Sequence, residues 1–203
     1  MSTPEAFQYD RFLVEQVIRP LANLYRVTPL AAGETPAGGP VAFVWQKRMK
    51  IKEDIRFYAD EPRSQELFRI AARSWLDTGS SRYDVVAADG ERLGVLHHTL
   101  KSIHRTTWSI QDASEQQIAI ARERSHVGAI GRRLIDFVPD IGGLIPIPYN
   151  MDILIEDRVV GHLNRKFKLR DEYVLDLTAD HDRRIDRRVA LALAIALDTL
   201  QNR

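Results

Sequence analysis

The side chains that most often perform chemistry are present in this sequence but form no catalytic pattern. Its six histidines lack the spacing of metal ligands, and the adjacent His97 and His98 would point to opposite faces of a predicted strand. Cysteine is absent, which excludes disulfides, thiolate metal sites and a cysteine nucleophile. No serine lies in a Gly-x-Ser-x-Gly nucleophile elbow, and Gly142-Gly143 follows a predicted helix instead of opening one, unlike a phosphate loop. We therefore predict a protein that is not an enzyme and needs no cofactor or metal.

Basic residues form the strongest candidate binding group. Arg122, Arg124, Arg132 and Arg133 flank or lie on a predicted helix, beside an apolar loop at 141–149. Next to such a loop, each basic residue would contribute about 1 kcal/mol to binding at an anionic lipid surface. The simpler interpretation is that the arginines are solvated while the loop seals one end of the fold. It is favoured because isolated charge runs usually lie at the surface.

A second basic group lies downstream of these arginines. Lys166, Lys168 and Arg170 alternate along one face of a predicted strand. Lys166 and Lys168 are therefore further candidates for lipid binding. Solubility and protection of a strand edge are the favoured explanation here as well.

Composition limits the partners and the number of domains. Lys and Arg total 29 against 28 Asp and Glu, so the net charge offers no global field to attract nucleic acid. A chain of 203 residues is accounted for by one core, and the default is a single domain over 1–203. The first residues lack the basic start and apolar stretch of a secretory signal. We expect a cytoplasmic protein without a nucleic-acid partner.

Alternation of apolar and polar residues dominates the chain from residue 11 to about 180. Between 41 and 51 the odd positions are mostly apolar and the later even positions are polar, as in a strand with one buried face. Asp89-Gly90 separates two further runs, and this pair favours a tight hairpin turn. Similar hairpins are predicted at 108–121 and 151–163. Three consecutive hairpins indicate antiparallel strands.

Twelve strands are predicted in all. Six belong to the three hairpins, and the other six lie near 11–18, 23–30, 41–50, 52–59, 66–76 and 172–179. So many strands would leave exposed edges in an open sheet, whereas closure removes those edges. The pattern therefore predicts a mainly β fold, a closed antiparallel barrel of about twelve strands.

Two segments interrupt the alternation. Between 126 and 138, apolar residues recur at helical spacing until Pro139 ends the pattern, which predicts one additional helix. The apolar segment 141–149 contains Pro146 and Pro148, which exclude a regular helix or a central strand. The Gly- and Pro-rich segment 32–40 predicts a flexible surface loop.

The run Val189–Leu197 is apolar on every side and has three interpretations: a membrane anchor, a strand or a buried helix. Its nine residues would cover about 14 Å as a helix, whereas a membrane span needs about 20 residues to cross about 30 Å. Four alanines favour a helix over a strand, and Asp180, Asp182 and Asp186 suit a helix start. A helix that is apolar all round must be surrounded. We therefore predict no transmembrane segment and a barrel wrapped around its own hydrophobic C-terminal helix.

These segments, in this order, resemble the tubby C-terminal-like superfamily, which includes the LURP-one-related proteins and the phospholipid scramblases. The resemblance rests on Arg11–Gln16, Asn23–Val27, the hairpin from Tyr83 to Gly94 and, above all, Asp182–Asp198. It covers nearly the whole chain from residue 11 onward. It implies a twelve-stranded barrel around a hydrophobic C-terminal helix, in one tubby-like domain over 1–203.

Functions differ within this superfamily. Tubby domains bind phosphoinositide headgroups through a basic patch, and scramblases are associated with calcium-dependent lipid movement. The present chain lacks the cysteine-rich and proline-rich segments of scramblases. Its acidic segment also fails the EF-hand pattern, because Arg184 is at position five, Ile185 replaces the required Gly and Leu191 replaces the bidentate Glu.

The resemblance therefore implies a non-catalytic cytoplasmic binding or scaffold protein of the LURP-one-related type, peripheral at the membrane. Its expected partner is an anionic phospholipid or a protein. One alternative is an enzyme or small-molecule carrier with a pocket at one end of the barrel. A weaker alternative is scramblase-like lipid transport. The content of the barrel interior discriminates between the binding or scaffold protein and the enzyme or carrier, because a helix in the lumen leaves little room for a ligand.

Overall fold

The computed structural model describes residues 5–19, 22–47, 54–73, 80–99, 107–124, 150–166 and 172–201. These residues form twelve β-strands, two short 3₁₀ turns and one α-helix. The 3₁₀ turns are Glu5–Phe7 and Ala32–Glu34, and the helix α1 is Arg187–Gln201. The strands are β1 (Arg11–Arg19), β2 (Ala22–Pro29), β3 (Ala42–Lys47), β4 (Asp54–Tyr58), β5 (Glu66–Ala72), β6 (Ser80–Ala87), β7 (Arg92–Thr99), β8 (Thr107–Gln111), β9 (Gln117–Glu123), β10 (Asn150–Ile155), β11 (Arg158–Lys166) and β12 (Glu172–Asp176).

The strands form one closed antiparallel barrel. Each strand pairs with its neighbours in the sequence, and β1 pairs with β12 as well as with β2. Phe12, for example, lies between Leu175 on one side and Pro29 on the other. The mainly β, closed-barrel prediction is confirmed. The additional helix predicted at 126–138 and the apolar loop at 141–149 lie outside the described residues.

Helix α1 occupies the interior of this barrel. Every residue from Val189 to Leu197 is at most 4% exposed, and the helix packs against β5, β6, β7 and β12. Its sequence can be apolar on every side because strands surround it. The prediction of a central hydrophobic helix is confirmed. Among the described residues, no helix combines the length and hydropathy needed to cross a bilayer.

Large side chains on the barrel wall fill the space around the small residues of α1. Phe57 and Phe68 stack with their ring centroids 4.0 Å apart, and Phe12, Tyr25 and Trp108 are also buried. A barrel of twelve strands is wide enough to need such filling, since barrel diameter grows with strand number. Alanines on the helix and aromatic rings on the wall therefore complement each other in volume.

The three acidic residues expected at the helix start have different roles. Asp186 is the N-cap, and its Oδ1 accepts a hydrogen bond from the backbone N–H of Arg188 at 2.8 Å. Asp180 instead accepts the backbone N–H of Ile185, before the helix begins, at 3.1 Å. Asp182 is exposed. Only Asp186 therefore caps the helix in the way that the sequence suggested.

The N-terminal segment covers the barrel end at which α1 begins. Phe7 is fully buried, and its ring meets Phe68 edge to face at 5.7 Å. Arg183 holds this segment in place, because its guanidinium donates to the carbonyl of Phe7 at 3.0 Å and to Asp10 at 2.7 Å. Residues before β1 thus contribute directly to the core.

Arg187 is buried at the same end, with 1% of its surface exposed. Its guanidinium donates to Asp180 at 2.5 Å and to Asp10 at 2.6 Å. It also donates to the carbonyl oxygens of Ile185 and Leu177. The buried cation is therefore neutralised by carboxylates from two segments, as a buried charge requires.

Gly94 on β7 allows α1 to approach the barrel wall. A Cβ at this position would lie 2.6 Å from the carbonyl oxygen of Gln111 and 3.1 Å from a methyl group of Val189. Gly94→Ala should therefore lower the free energy of unfolding by about 1–3 kcal/mol through overpacking. Urea denaturation measures this change. Gly38→Ala is the matched control, because no atom lies within 4 Å of its Cβ position, and equal stability of the two variants would contradict close packing at Gly94.

Candidate functional site

A cleft of about 320 Å³ lies on the outer surface of the barrel, beside β9 and β10. Its apolar residues include Ile118 and Ile120 of β9 and Leu154 of β10, and Ile120 and Leu154 are paired in register. Its charged lining residues are Arg122, Glu156, Asp157 and Arg184. The cleft thus combines an apolar floor with charged groups at its rim.

Strand β9 builds the floor because it is apolar on both faces. Ala119 and Ala121 are at most 3% exposed and point into the barrel, where their small size leaves room for the core. The larger Ile118 and Ile120 alternate with them and therefore face outward. Sequence reasoning missed this cleft. The sequence feature that could have indicated it is a strand with alanines on one face and isoleucines on the other.

The predicted basic residues differ in their electrostatic surroundings. Arg124 donates to Asp152 at 2.7 Å and lies 2.7 Å from Nδ1 of His162. Asp152 is the residue paired with Arg122 in register, so Arg124 forms its ion pair with the cross-strand neighbour of Arg122. Arg122 itself is exposed and, within the described ranges, forms no ion pair. It is therefore the basic residue best placed to receive an external anion.

The acidic residues of the cleft lie toward its other end. Glu156 and Asp157 form the turn between β10 and β11 and adopt positive φ values of 51° and 64°. Arg184 reaches this turn and pairs with Glu156 at 3.1 Å. Arg122 pairs in register with Asp152, several residues before the turn. The cleft is therefore positive at the Arg122 end and acidic at the turn end.

Lys166 does not present a free charge. It forms an ion pair with Glu34, in the loop between β2 and β3, and this hydrogen bond lowers the pKa of Glu34. The loop over 32–40 is exposed, as predicted. Protection of a strand edge is wrong as an explanation for Lys166, because β11 pairs with β10 on one side and β12 on the other.

The remaining predicted site residues, Arg132, Arg133 and Lys168, lie outside the described residues. Arg122 lies on β9, Arg124 directly follows that strand, and Lys166 lies on β11. These assignments to lipid binding remain predictions.

The two adjacent histidines face different surroundings, as expected for neighbours on a strand. His98 lies 4.8 Å from the ring of Trp108, a buried residue, and burial lowers its pKa. His97 pairs in register with Ser109 instead. Within the described ranges, no three His, Asp or Glu side chains are arranged to hold a metal ion.

Comparison with known families identifies the family of this chain. The model of the LURP-one-related family matches residues 41–198, from the residue before β3 into α1. The chain belongs to the LURP-one-related family. Neither curated proteins nor solved structures gave a match.

The family match places the cleft within the part of the chain that is typical of LURP-one-related proteins. Strands β3 to β12 lie inside the match, whereas β1 and β2 precede it. These two strands nevertheless complete the LURP-one-related barrel here, because β1 supplies the pairing with β12. The barrel around a C-terminal helix also agrees with the tubby-like fold that the sequence resemblance implied.

Proposed function

We propose that this LURP-one-related protein is a non-catalytic binding module that attaches to anionic phospholipid through the cleft beside β9. The observation that carries the proposal is Arg122, a guanidinium without an ion-pair partner in the described part of the chain, at the edge of an apolar floor. An anionic headgroup would pair with Arg122 while apolar parts of the lipid contact Ile118, Ile120 and Leu154. The protein would act peripherally at the cytoplasmic face of a membrane.

The charge distribution of the cleft supports one orientation of the ligand. At the turn end Arg184 pairs with Glu156, so the carboxylate of Asp157 leaves an excess negative charge that repels a phosphate. Arg122, at the other end, attracts it. A lipid phosphate would therefore lie at the Arg122 end, and the acidic turn would exclude the reverse placement.

The occupied lumen supports a surface site over a luminal one. Helix α1 fills the barrel interior with buried side chains from Val189 to Leu197. A carrier or enzyme with its pocket inside the barrel would need that volume for its ligand. Among the described residues, no element fills the outer cleft in the way that α1 fills the lumen.

Vesicle co-sedimentation tests this proposal. We expect the protein to sediment with vesicles containing an anionic phospholipid at low salt, and to be released as salt screens the attraction. Arg122→Glu should weaken binding about tenfold, because it removes one attractive charge and adds a repulsive one. The measurement is the bound fraction as a function of lipid concentration.

Arg63→Glu provides the matched control for charge. Arg63 is exposed in the turn between β4 and β5, and neither of these strands is a neighbour of β9. We expect this variant to bind vesicles like the unmodified protein. Equal losses in the two variants would show that net charge alone drives sedimentation, and no binding of the unmodified protein at any ionic strength would refute the lipid proposal.

A further inference from the structure

Three arginines converge on one carboxylate on the outer surface of the barrel. Arg73, which follows β5, donates to Oε1 and Oε2 of Glu115 at 2.9 and 3.0 Å. Arg92 donates to Oε1 at 3.0 Å, and Nη1 of Arg82 lies 3.5 Å from Oε2. Each carboxylate oxygen of Glu115 thus meets two guanidinium groups. We call Arg73, Arg82 and Arg92 the three-arginine site.

Asp84 holds two of the three arginines, Arg73 and Arg92, independently of Glu115. Arg73 makes a second bidentate contact, with Asp84 of β6, at 2.8 and 2.7 Å. Nη1 of Arg92 lies 3.7 Å from the same aspartate. The hydrogen bonds that Arg73 donates to Asp84 and, to a lesser extent, to Glu115 raise the pKa of Arg73. The carboxylate of Asp84 therefore stays in the site even when the side chain of Glu115 moves away.

The turn that carries Glu115 is also stable without its side chain. Oδ1 of Asp112 accepts the backbone N–H groups of Ser114 at 2.8 Å and Gln116 at 2.9 Å. Glu115 has a positive φ of 67°, a conformation that favours glycine. Its carboxylate can therefore leave the arginines by side-chain rotation while the backbone turn stays formed.

The charges do not balance while Glu115 is the occupant. Three guanidinium groups face the carboxylates of Asp84 and Glu115, which leaves an excess of one positive charge. A phosphate group carries a charge of about −1.5 to −2 near pH 7 and has three acceptor oxygens. In place of Glu115 it would bring the site close to neutrality and match the forked guanidinium donors.

We propose that the three-arginine site binds a dianionic phosphate group, and that Glu115 occupies this site in the ligand-free chain. A single external carboxylate would not displace Glu115, because the tethered side chain has a high effective concentration. A dianion has the additional charge needed to exchange with it. Arg73 follows β5, and Arg82 and Arg92 lie on β6 and β7. None of these three arginines lines the lipid cleft, and the inference does not depend on the proposed function.

Titration with phosphate tests the inference. The side-chain Nε–H signal of Arg73 would be followed by NMR during titration with inorganic phosphate and, separately, with O-phosphoserine at constant ionic strength. We expect saturable shifts in the unmodified protein. Binding should be about tenfold tighter in Glu115→Gly, which removes the competing carboxylate and suits the turn. Equal affinity for the two probes would indicate a site for the free phosphate group, and tighter binding of O-phosphoserine a site for a phosphomonoester.

Two further variants locate the binding. In the Glu115→Gly protein, Arg82→Gln should weaken phosphate binding about tenfold. The control is Arg69→Gln, an arginine of β5 that pairs with Glu66 outside the site, and it should leave the affinity unchanged. The inference would be overturned by the absence of a saturable Arg73 shift in both proteins. Equal losses in the Arg82 and Arg69 variants would overturn it as well.

Discussion

Leu193→Asp should prevent the chain from folding. Leu193 is fully buried in the middle of α1, inside the barrel, so an aspartate there would be an unpaired charge surrounded by apolar side chains. Burial of such a group costs more than about 5 kcal/mol, which is comparable with the total stability of many domains. Circular dichroism and size-exclusion chromatography of the purified variant would show the loss of the folded barrel.

Two controls separate this effect from a general intolerance of substitution. Leu193→Met keeps the volume and should cost less than about 1.5 kcal/mol. Val159→Asp introduces the same charge on the outer surface, where Val159 is 40% exposed, and should change stability by about 0.5 kcal/mol or less. A folded Leu193→Asp protein that had only lost attachment to membranes would favour the anchor interpretation of 189–197 and contradict the central helix.

Arg187→Met should lower the free energy of unfolding by about 3–5 kcal/mol. The substitution keeps an unbranched side chain but removes every hydrogen bond that Arg187 donates. Asp180 is only 4% exposed, so its carboxylate would be left as a buried charge without its cation. Asp10 would lose the contact that ties the N-terminal segment to the helix start. Urea denaturation at neutral pH measures the change.

Arg184→Met is the matched control for this prediction. Arg184 lies three residues earlier and pairs with Glu156, a side chain that is 81% exposed. Exposed ion pairs contribute about 0–1 kcal/mol, so this variant should be nearly as stable as the unmodified protein. Similar stability losses in the two variants would mean that the buried network around Arg187 contributes no more than a surface pair.

The barrel and its helix were predictable because both follow from local periodicity. Alternation with a period of two marks a strand with one buried face, and it predicted strands in the places where the twelve strands occur. The run from Val189 to Leu197 was informative because it lacks a polar face. In a chain of this length, only a surrounding sheet can bury every side of such a helix. The uniform hydrophobicity of this run therefore predicted the fold.

The outer cleft and the three-arginine site were not predictable in this way. Arg73 and Glu115 are separated by 42 residues, and their contact depends on the register of four successive strands. Irregularities in strand pairing, such as the register shift between Ile110 and Gln111, also change which residues face each other on adjacent strands. Sequence reasoning therefore selected basic residues near one another in the chain, whereas the structure pairs Arg124 and Lys166 with distant carboxylates.

Arg187 and Arg188 show most clearly what the sequence determines by itself. The sequence determined that a segment of acidic and basic residues precedes an apolar helix. It also determined that this helix is enclosed by strands in which apolar and polar residues alternate. Only the tertiary structure decided that Arg187 is buried against Asp10, 177 residues earlier, while its neighbour Arg188 pairs locally with Asp186. Adjacent helical residues point about 100° apart, and barrel closure brings the N-terminal segment to one of them. Local patterns specify which faces are buried, but the partners of individual charges are set by pairing between distant segments.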